Sequence, residues 1–138
     1  MWIEKIKPYM AHNQFIKPKS GVDFVVIKEA EQKLGVQFTP ELISLLSEVN
    51  GDDVLLFSIE QIITYNIDSR RDYREVYDEI DNLLFIAGNG CGDYFAYKVT
   101  DGAIISTDIV RWEHEDNSVV PIAGNLAELI EKYYTDQA

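Results

Sequence analysis

The spacing of apolar residues changes from a helical to a strand pattern at Leu83, and this change constrains the fold more than any other feature. Before it, apolar residues recur every three or four positions, most regularly around Leu42, Leu45 and Leu46. After it, they alternate with polar residues or form short runs, as strands do. Helical spacing returns near the C-terminus. This order predicts an α+β fold: a mainly antiparallel sheet flanked by N-terminal helices and a C-terminal helix. The residues predicted to pack inward are Leu42, Leu45, Leu46, Leu129 and Ile130.

Capping residues mark the ends of the predicted helices. Thr39 and Pro40 suit the start of one helix, because threonine accepts an unpaired N–H and proline lacks one. Positive backbone φ angles are cheap at glycine, so Gly35 and Gly51 are predicted to end the helices that precede them. The other predicted helices are 2–10, delayed or kinked by Pro8; 23–34; 59–65, opened by Ser58 and Gln61 and stopped near Asn66; a stripe from Tyr73 to Ile80; and a closing helix capped by Asn125 with Glu128.

Short β-like segments predict an antiparallel meander of three or four strands. Segments 83–87 and 94–99 flank a glycine-rich turn, 88–93, so they predict a hairpin with a long tip. Asp101-Gly102 predicts a second hairpin turn. The remaining strand candidates are 54–57, 103–106 and 109–113.

Size and cysteine content indicate one domain in a reducing compartment. The chain has 138 residues and a mass of 15.8 kDa, so residues 1–138 are predicted to share a single core. A lone cysteine, Cys91, excludes an internal disulfide and favours a cytoplasmic location. No apolar run has the length of a signal peptide core or a membrane span, so we expect no membrane contact.

Negative charge dominates the chain and is unevenly distributed. The formal net charge is -12, and residues 1–50 contribute none of it, because six lysines there balance six acidic residues. Such a field repels polyanions, so direct nucleic-acid binding is not expected. Two interpretations stay open: the acidity keeps the protein soluble, or it attracts a basic partner.

Three sequence features could suggest catalysis: the glycine-rich turn, Cys91 and His114. None of them supports a catalytic site. Gly88, Gly90 and Gly92 are followed by a predicted strand, whereas a phosphate-binding loop precedes a helix. Cys91 has no basic neighbour in sequence, and adjacent Asp93 disfavours a thiolate. A flexible tip and a small turn residue explain these features.

His114 lies among Glu113, Glu115 and Asp116, a grouping that could suggest a metal site. Alternation along a strand lets at most two of these side chains converge, and two ligands do not make a site. No GxSxG or SxxK motif occurs. The sequence therefore predicts no catalytic residue, no cofactor and no metal ion.

Several motifs follow one another in a fixed order: IKEAEQKLGVQFTPELISLLSEVNG at 27–51, SIEQI at 58–62, LLFIAGNGCGDYFAY at 83–97, VRWEHED at 110–116 and NLAELIEKYY at 125–134. This set resembles the SUKH superfamily, the Smi/Knr-like group of yeast cell-wall regulators and bacterial immunity proteins. The resemblance implies that Gly92 and Asp93 shape the hairpin tip. It implies a framework role for Glu31, Leu34, Gly35, Pro40, Leu45, Asn50 and Gly51.

The resemblance also implies a function: a noncatalytic, bacterial immunity protein that neutralises a toxin domain of a polymorphic toxin system by occluding it. A basic toxin domain, for example a nuclease, fits the acidic charge. The alternative is a regulatory scaffold or signalling protein of the Smi/Knr type without a toxin partner. A third hypothesis is an enzyme that uses Cys91 or His114. The candidate partner-binding residues are Asp52, Asp53, Asp93, Tyr94, Trp112, Glu113, His114, Glu115 and Asp116.

Overall fold

The computed structural model describes residues 1–73 and 82–138, in which five helices and one four-stranded sheet are formed. The helices are α1 (Trp2–Met10), α2 (Phe24–Leu34), α3 (Pro40–Glu48), α4 (Ile59–Tyr73) and α5 (Leu126–Tyr134). The strands are β1 (Leu83–Gly88), β2 (Tyr94–Lys98), β3 (Ile109–Glu113) and β4 (Ser118–Ala123). The predicted α+β fold is confirmed.

The four strands form an antiparallel meander in the order β1-β2-β3-β4. Tyr94 pairs with Trp112 across the central two strands, and a bulge in β1 lies between Phe85 and Ala87. Because successive strands of a meander reverse direction, the β1–β2 tip and the β3–β4 turn leave the sheet at the same end. The β2–β3 connection lies at the opposite end.

Side chains on both faces of the sheet pack against helices. On one face, the Phe95 ring contacts Tyr133 of α5, and the Tyr97 hydroxyl donates to Glu41 of α3 at 2.8 Å. Burial raises the pKa of this hydroxyl, so it remains a donor. On the other face, Tyr94 contacts Tyr65 of α4. The residues predicted to pack inward are all buried: Leu42, Leu45, Leu46, Leu129 and Ile130.

The connection between α3 and α4 contains the candidate residues Asp52 and Asp53 and lies beside the sheet. Thr39 caps α3 by accepting a hydrogen bond from the Leu42 N–H, as predicted. Gly51 follows with a φ of 84°, and a Cβ there would meet the Ser58 nitrogen at 2.7 Å. Asn50 then caps α4 through a 2.7 Å bond from the Ile59 N–H. Helix α3 ends earlier than predicted, because Val49 already has an extended backbone. The Asn50-Gly51 pair therefore joins the two helices and does not itself end the first.

Two strand predictions are wrong. Segment 54–57 forms only a single bridge, between Leu56 and Ala87, and runs along the outer edge of β1. Segment 103–106 is irregular after the predicted Asp101-Gly102 turn, where both φ angles are positive. The fourth strand is β4, which the sequence interpretation missed. Pro121 weakens its strand signal, but an edge strand tolerates proline because one side of its backbone is unpaired.

The prediction that a helix stops near Asn66 is also wrong. Helix α4 continues to Tyr73, and Asn66 is buried inside it. Its side-chain amide accepts from the Phe85 N–H and donates to the Phe85 carbonyl, both at 2.8 Å. Asparagine is favourable at this helical position because its side chain pairs with backbone N–H and C=O groups at the edge of β1. The stripe predicted from Tyr73 to Ile80 falls largely outside the described residues.

Candidate functional site

Most of the candidate residues converge at the end of the sheet that carries the β1–β2 tip. The tip and the β3–β4 turn lie side by side, and the loop after α3 lines a groove with the tip. We call the accessible candidates there the tip surface. It consists of Asp53, Asp93, Tyr94, Glu113, His114, Glu115 and Asp116.

A hydrogen-bonded contact between Asp93 and His114 joins the two turns of the tip surface. The Asp93 carboxylate lies 2.8 Å from Nδ1 of His114 and also accepts from the His114 backbone N–H at 3.2 Å. The His114 ring packs against Gly92, where a Cβ would come within 2.8 Å of the ring. Gly92 has a φ of 98°. Only glycine suits this position, because both the backbone angle and the imidazole exclude a side chain.

The hydrogen bonds around Asp93 favour its charged form. Partial burial raises the pKa of this carboxyl, but the hydrogen bonds from His114 and Asn89 outweigh burial, so its pKa lies below that of an ordinary aspartate. Asn89 also accepts from the backbone N–H of Cys91 at 2.9 Å. The glycine-rich tip is therefore fixed by three side chains and is not a loose loop.

Asp52, a predicted partner-binding residue, is buried and has a structural role instead. One carboxylate oxygen accepts from the N–H groups of Val54, Leu55 and Leu56 at 2.8–3.0 Å. The other accepts a short hydrogen bond from the Tyr134 hydroxyl of α5. Burial and the adjacent carboxylate raise the pKa of Tyr134, so the hydroxyl keeps its proton. Asp52 therefore anchors the loop to the C-terminal helix.

Trp112 is fully buried too, so it supports the tip surface from below. Its indole N–H donates to Asn117 at 2.7 Å, which closes the β3–β4 turn. Its ring contacts Phe85 and stacks beside Tyr94. The aromatic part of the strand end is therefore core, and Tyr94 is the member that reaches the surface half-exposed.

The acidic candidates differ in how they are held. Glu113 is half-buried, accepting from Arg111 at 3.1 Å and from the Ser118 hydroxyl at 3.0 Å. Asp53 forms an exposed ion pair with Lys19 at 2.8 Å. Glu115 and Asp116 are exposed on the β3–β4 turn. The accessible negative charge of this surface therefore comes mainly from the turn.

Sequence reasoning missed three residues that build the site. Asn89 organises the tip, and a signal was available, because asparagine at the start of a glycine-rich turn commonly bonds the backbone two residues later. Phe57 and Tyr65 line the groove beside the tip. Nothing local in the sequence indicates their proximity to Tyr94, since the pairing of the Phe57 segment with the edge of β1 and the packing of α4 against the sheet create it.

Among the described residues, the site has no arrangement of side chains from which a reaction can be derived. Asp93 orients His114, and the same hydrogen bonds join the two turns of the tip surface. Cys91 is exposed at the tip. Within residues 1–73 and 82–138, no three His, Cys, Asp or Glu side chains are arranged to bind a metal ion.

In the described part of the chain, no helix has both the length and the apolar character needed to cross a bilayer.

Comparison with curated proteins returned no significant match. Comparison with family models matched residues 21–132 to the SMI1 / KNR4 family (SUKH-1). The match runs from the residues before α2 into α5. It includes the first four motifs on which the resemblance rested and most of the last one, 125–134. The chain therefore belongs to the SMI1 / KNR4 family, SUKH-1.

Proposed function

We propose that the protein is a noncatalytic immunity protein that binds a basic toxin domain through the tip surface and occludes it. Membership of the SMI1 / KNR4 family is compatible with this role and with a regulatory role. The observation that favours toxin binding is the convergence of acidic side chains from three chain segments on one pinned surface. A surface fixed before binding loses little entropy on association, which suits tight inhibition.

The charge distribution supports a protein partner with a basic face. All of the net charge of -12 arises after residue 50, and the tip surface belongs to that part. Complementary charge accelerates association by about ten- to a thousand-fold at low salt. A nuclease toxin has a basic cleft for its own substrate, so an acidic protein that covers the cleft would block it.

The first experiment measures neutralisation. The expected partner is the basic C-terminal domain of a large secreted protein encoded beside this gene. Co-expression with that domain should restore growth to cells that the domain alone kills, and the purified proteins should form a complex. Their association rate should fall as salt rises through about 0.1 M, where the screening length is about 10 Å.

A matched pair of double variants tests whether the tip surface carries the binding. Glu115→Gln with Asp116→Asn removes two charges from the tip surface. Asp101→Asn with Asp108→Asn removes two charges from the opposite end of the sheet. We expect the first variant to associate more slowly and the second to match wild type.

Two results would contradict the proposal. Equal, salt-insensitive binding by wild type and both variants would mean that the acidity only maintains solubility. Failure to protect cells or to bind the toxin domain would favour the regulatory scaffold.

A further inference from the structure

A small groove lies between the loop that precedes α4 and the glycine-rich tip. Its volume is about 310 Å³, and its lining includes Asp53, Phe57, Tyr65, Gly92 and Tyr94. Sites for whole small molecules usually measure about 300–1,000 Å³. The groove is at the lower limit of that range, a size that suits one long side chain of a protein partner.

Three aromatic rings give the groove its chemical character. The rings of Tyr65 and Tyr94 are nearly parallel, with an interplanar angle of 13° and centroids 5.8 Å apart. Phe57 meets both of them edge-on, at 4.8 and 5.6 Å. Both tyrosines are half-exposed. Tyr94 also stacks beside Trp112, so Tyr65 is the ring left to offer a face. Because the face of an aromatic ring carries partial negative charge, Tyr65 attracts a cation, most strongly a planar one that can stack.

Asp53 adds a carboxylate to these aromatic rings. Its side chain is 41% exposed, and its ion pair with Lys19, whose side chain is 56% exposed, holds one oxygen at 2.8 Å. An ion pair this exposed contributes little and exchanges readily, so an incoming cation can share or replace Lys19. Asp93, next to the lining residue Gly92, adds negative potential beside the groove.

We propose that the groove receives an arginine side chain from the basic face of the toxin domain, an inference that rests on the proposed function. The guanidinium would stack on the Tyr65 ring and donate two hydrogen bonds to Asp53. Arginine suits this arrangement better than lysine, because its planar group offers paired donors and stacks, whereas an ammonium is a point charge. The groove would thus hold the central anchor of the complex, surrounded by weaker acidic contacts.

The test uses a blocked tripeptide, acetyl-Gly-Arg-Gly-amide, titrated into the full-length protein and followed by amide chemical shifts. We expect saturable shifts at the backbone of Asp53, Gly92 and Tyr94. The lysine peptide should bind about fivefold more weakly, and the uncharged citrulline peptide should not saturate. Equal shifts with the citrulline peptide, or shifts spread over the whole acidic surface, would overturn the proposal.

Substitutions separate the groove from the general field of the protein. Asp53 has a φ of 69°, which asparagine also tolerates, so Asp53→Asn removes charge without adding strain. We expect it to weaken the arginine peptide about tenfold. The matched control is Asp101→Asn, another aspartate with positive φ, 52°, at the opposite end of the sheet. Tyr65→Leu should cost about fivefold by removing the ring alone. Equal losses in Asp53→Asn and Asp101→Asn would mean that no specific groove exists.

Lys19 provides a test with the opposite sign. Lys19→Gln removes the internal competitor for Asp53 and should tighten peptide binding at least twofold. Lys17→Gln removes an exposed charge two residues away and controls for the change in overall field. If both variants bind equally, Lys19 does not compete, and the assignment of Asp53 is wrong.

The arginine groove and the proposed function can fail separately. Saturable arginine binding without neutralisation of a toxin would keep the groove and remove the function. Neutralisation that is unaffected by Asp53→Asn and Tyr65→Leu, with no peptide binding, would keep the function and remove the groove.

Discussion

The two ends of the sheet are built differently. At the tip end, the β1–β2 tip and the β3–β4 turn are tied together by Asp93 and His114. At the turn end, the β2–β3 connection makes a tight turn between Thr100 and Ala103 and then continues without regular structure. Ile105 there is 81% exposed. The tip end is a fixed surface, and the turn end contacts mainly solvent.

This difference is the structural reason for proposing the tip end as the recognition surface. Both ends carry aspartates and glycines with positive φ, so local composition does not distinguish them. What distinguishes the tip end is that side chains from separate chain segments bond to one another there: His114 to Asp93, and Tyr134 to Asp52. Such cross-bonding preserves a surface in one shape, and shape is what a specific partner selects.

The largest expected effect comes from the buried anchor of the tip end. Asp52→Ala should lower the free energy of unfolding by about 3 kcal/mol, because three loop N–H groups lose their acceptor in a buried site. The measurement is urea denaturation. Asp108→Ala at the turn end, which is exposed, should change it by less than about 0.5 kcal/mol. Similar losses in both variants would erase the contrast between the ends.

A smaller effect is expected at the tip glycines. Gly92→Ala should cost about 2 kcal/mol, since it strains a φ of 98° and collides with His114. Gly90 has a φ of 78° but open space around its Cβ position, so Gly90→Ala reports the backbone strain alone, about 1 kcal/mol. Thermal unfolding of both variants measures the difference. If the two variants are equal, the imidazole does not restrict Gly92.

The Asp93–His114 pair should make the tip end sensitive to acid. The pKa of Asp93 is lower in the folded state, so its stabilising contribution is present above about pH 4 and is lost as pH falls through the folded value. Denaturation curves of wild type and Asp93→Asn should therefore converge as the pH is lowered below 4. Asp101→Asn at the turn end is the control and should run parallel to wild type. A constant gap between Asp93→Asn and wild type would contradict the role of this charge.

The smallest expected effect belongs to Cys91. Its side chain is exposed on the tip, so Cys91→Ala should change stability by less than about 0.5 kcal/mol. Protection against the toxin domain should also be unchanged, because binding requires no thiol chemistry. Loss of protection at unchanged stability would revive the enzyme hypothesis.

Local signals were sufficient wherever a bond spans a few residues. Thr39 caps α3, and Ser58 with Gln61 opens α4 through reciprocal bonds of 2.8 and 3.2 Å. Asn125 opens α5 in the same way, by accepting from the Glu128 N–H. These contacts are encoded within one turn of helix, so their sequence pattern is legible without knowledge of the fold.

Candidate residues were harder to judge, because burial is a property of the whole structure. Asp52 and Asp53 are adjacent and chemically identical, yet one is fully buried beneath α5 and the other is exposed. Trp112 and Glu113 point to opposite faces of β3, and Trp112 is buried whereas Glu113 is only half-buried. The residues chosen from the acidic and aromatic pattern lie mostly at one end of the sheet, but the pattern could not separate the buried ones from the accessible ones.

The sequence by itself determined where the helices begin, the caps of α3 and α5, the antiparallel character of the sheet, the family and the acidic charge, because periodicity and short-range hydrogen bonds are local. Only the tertiary structure decided which loops meet. Asp93 and His114 are 21 positions apart, and Asn66 bonds to Phe85 across 19. Contacts of this kind depend on how α4 and the strands pack, and a long-range hydrogen bond in a buried site outweighs the weak local preference that predicted a helix end at Asn66.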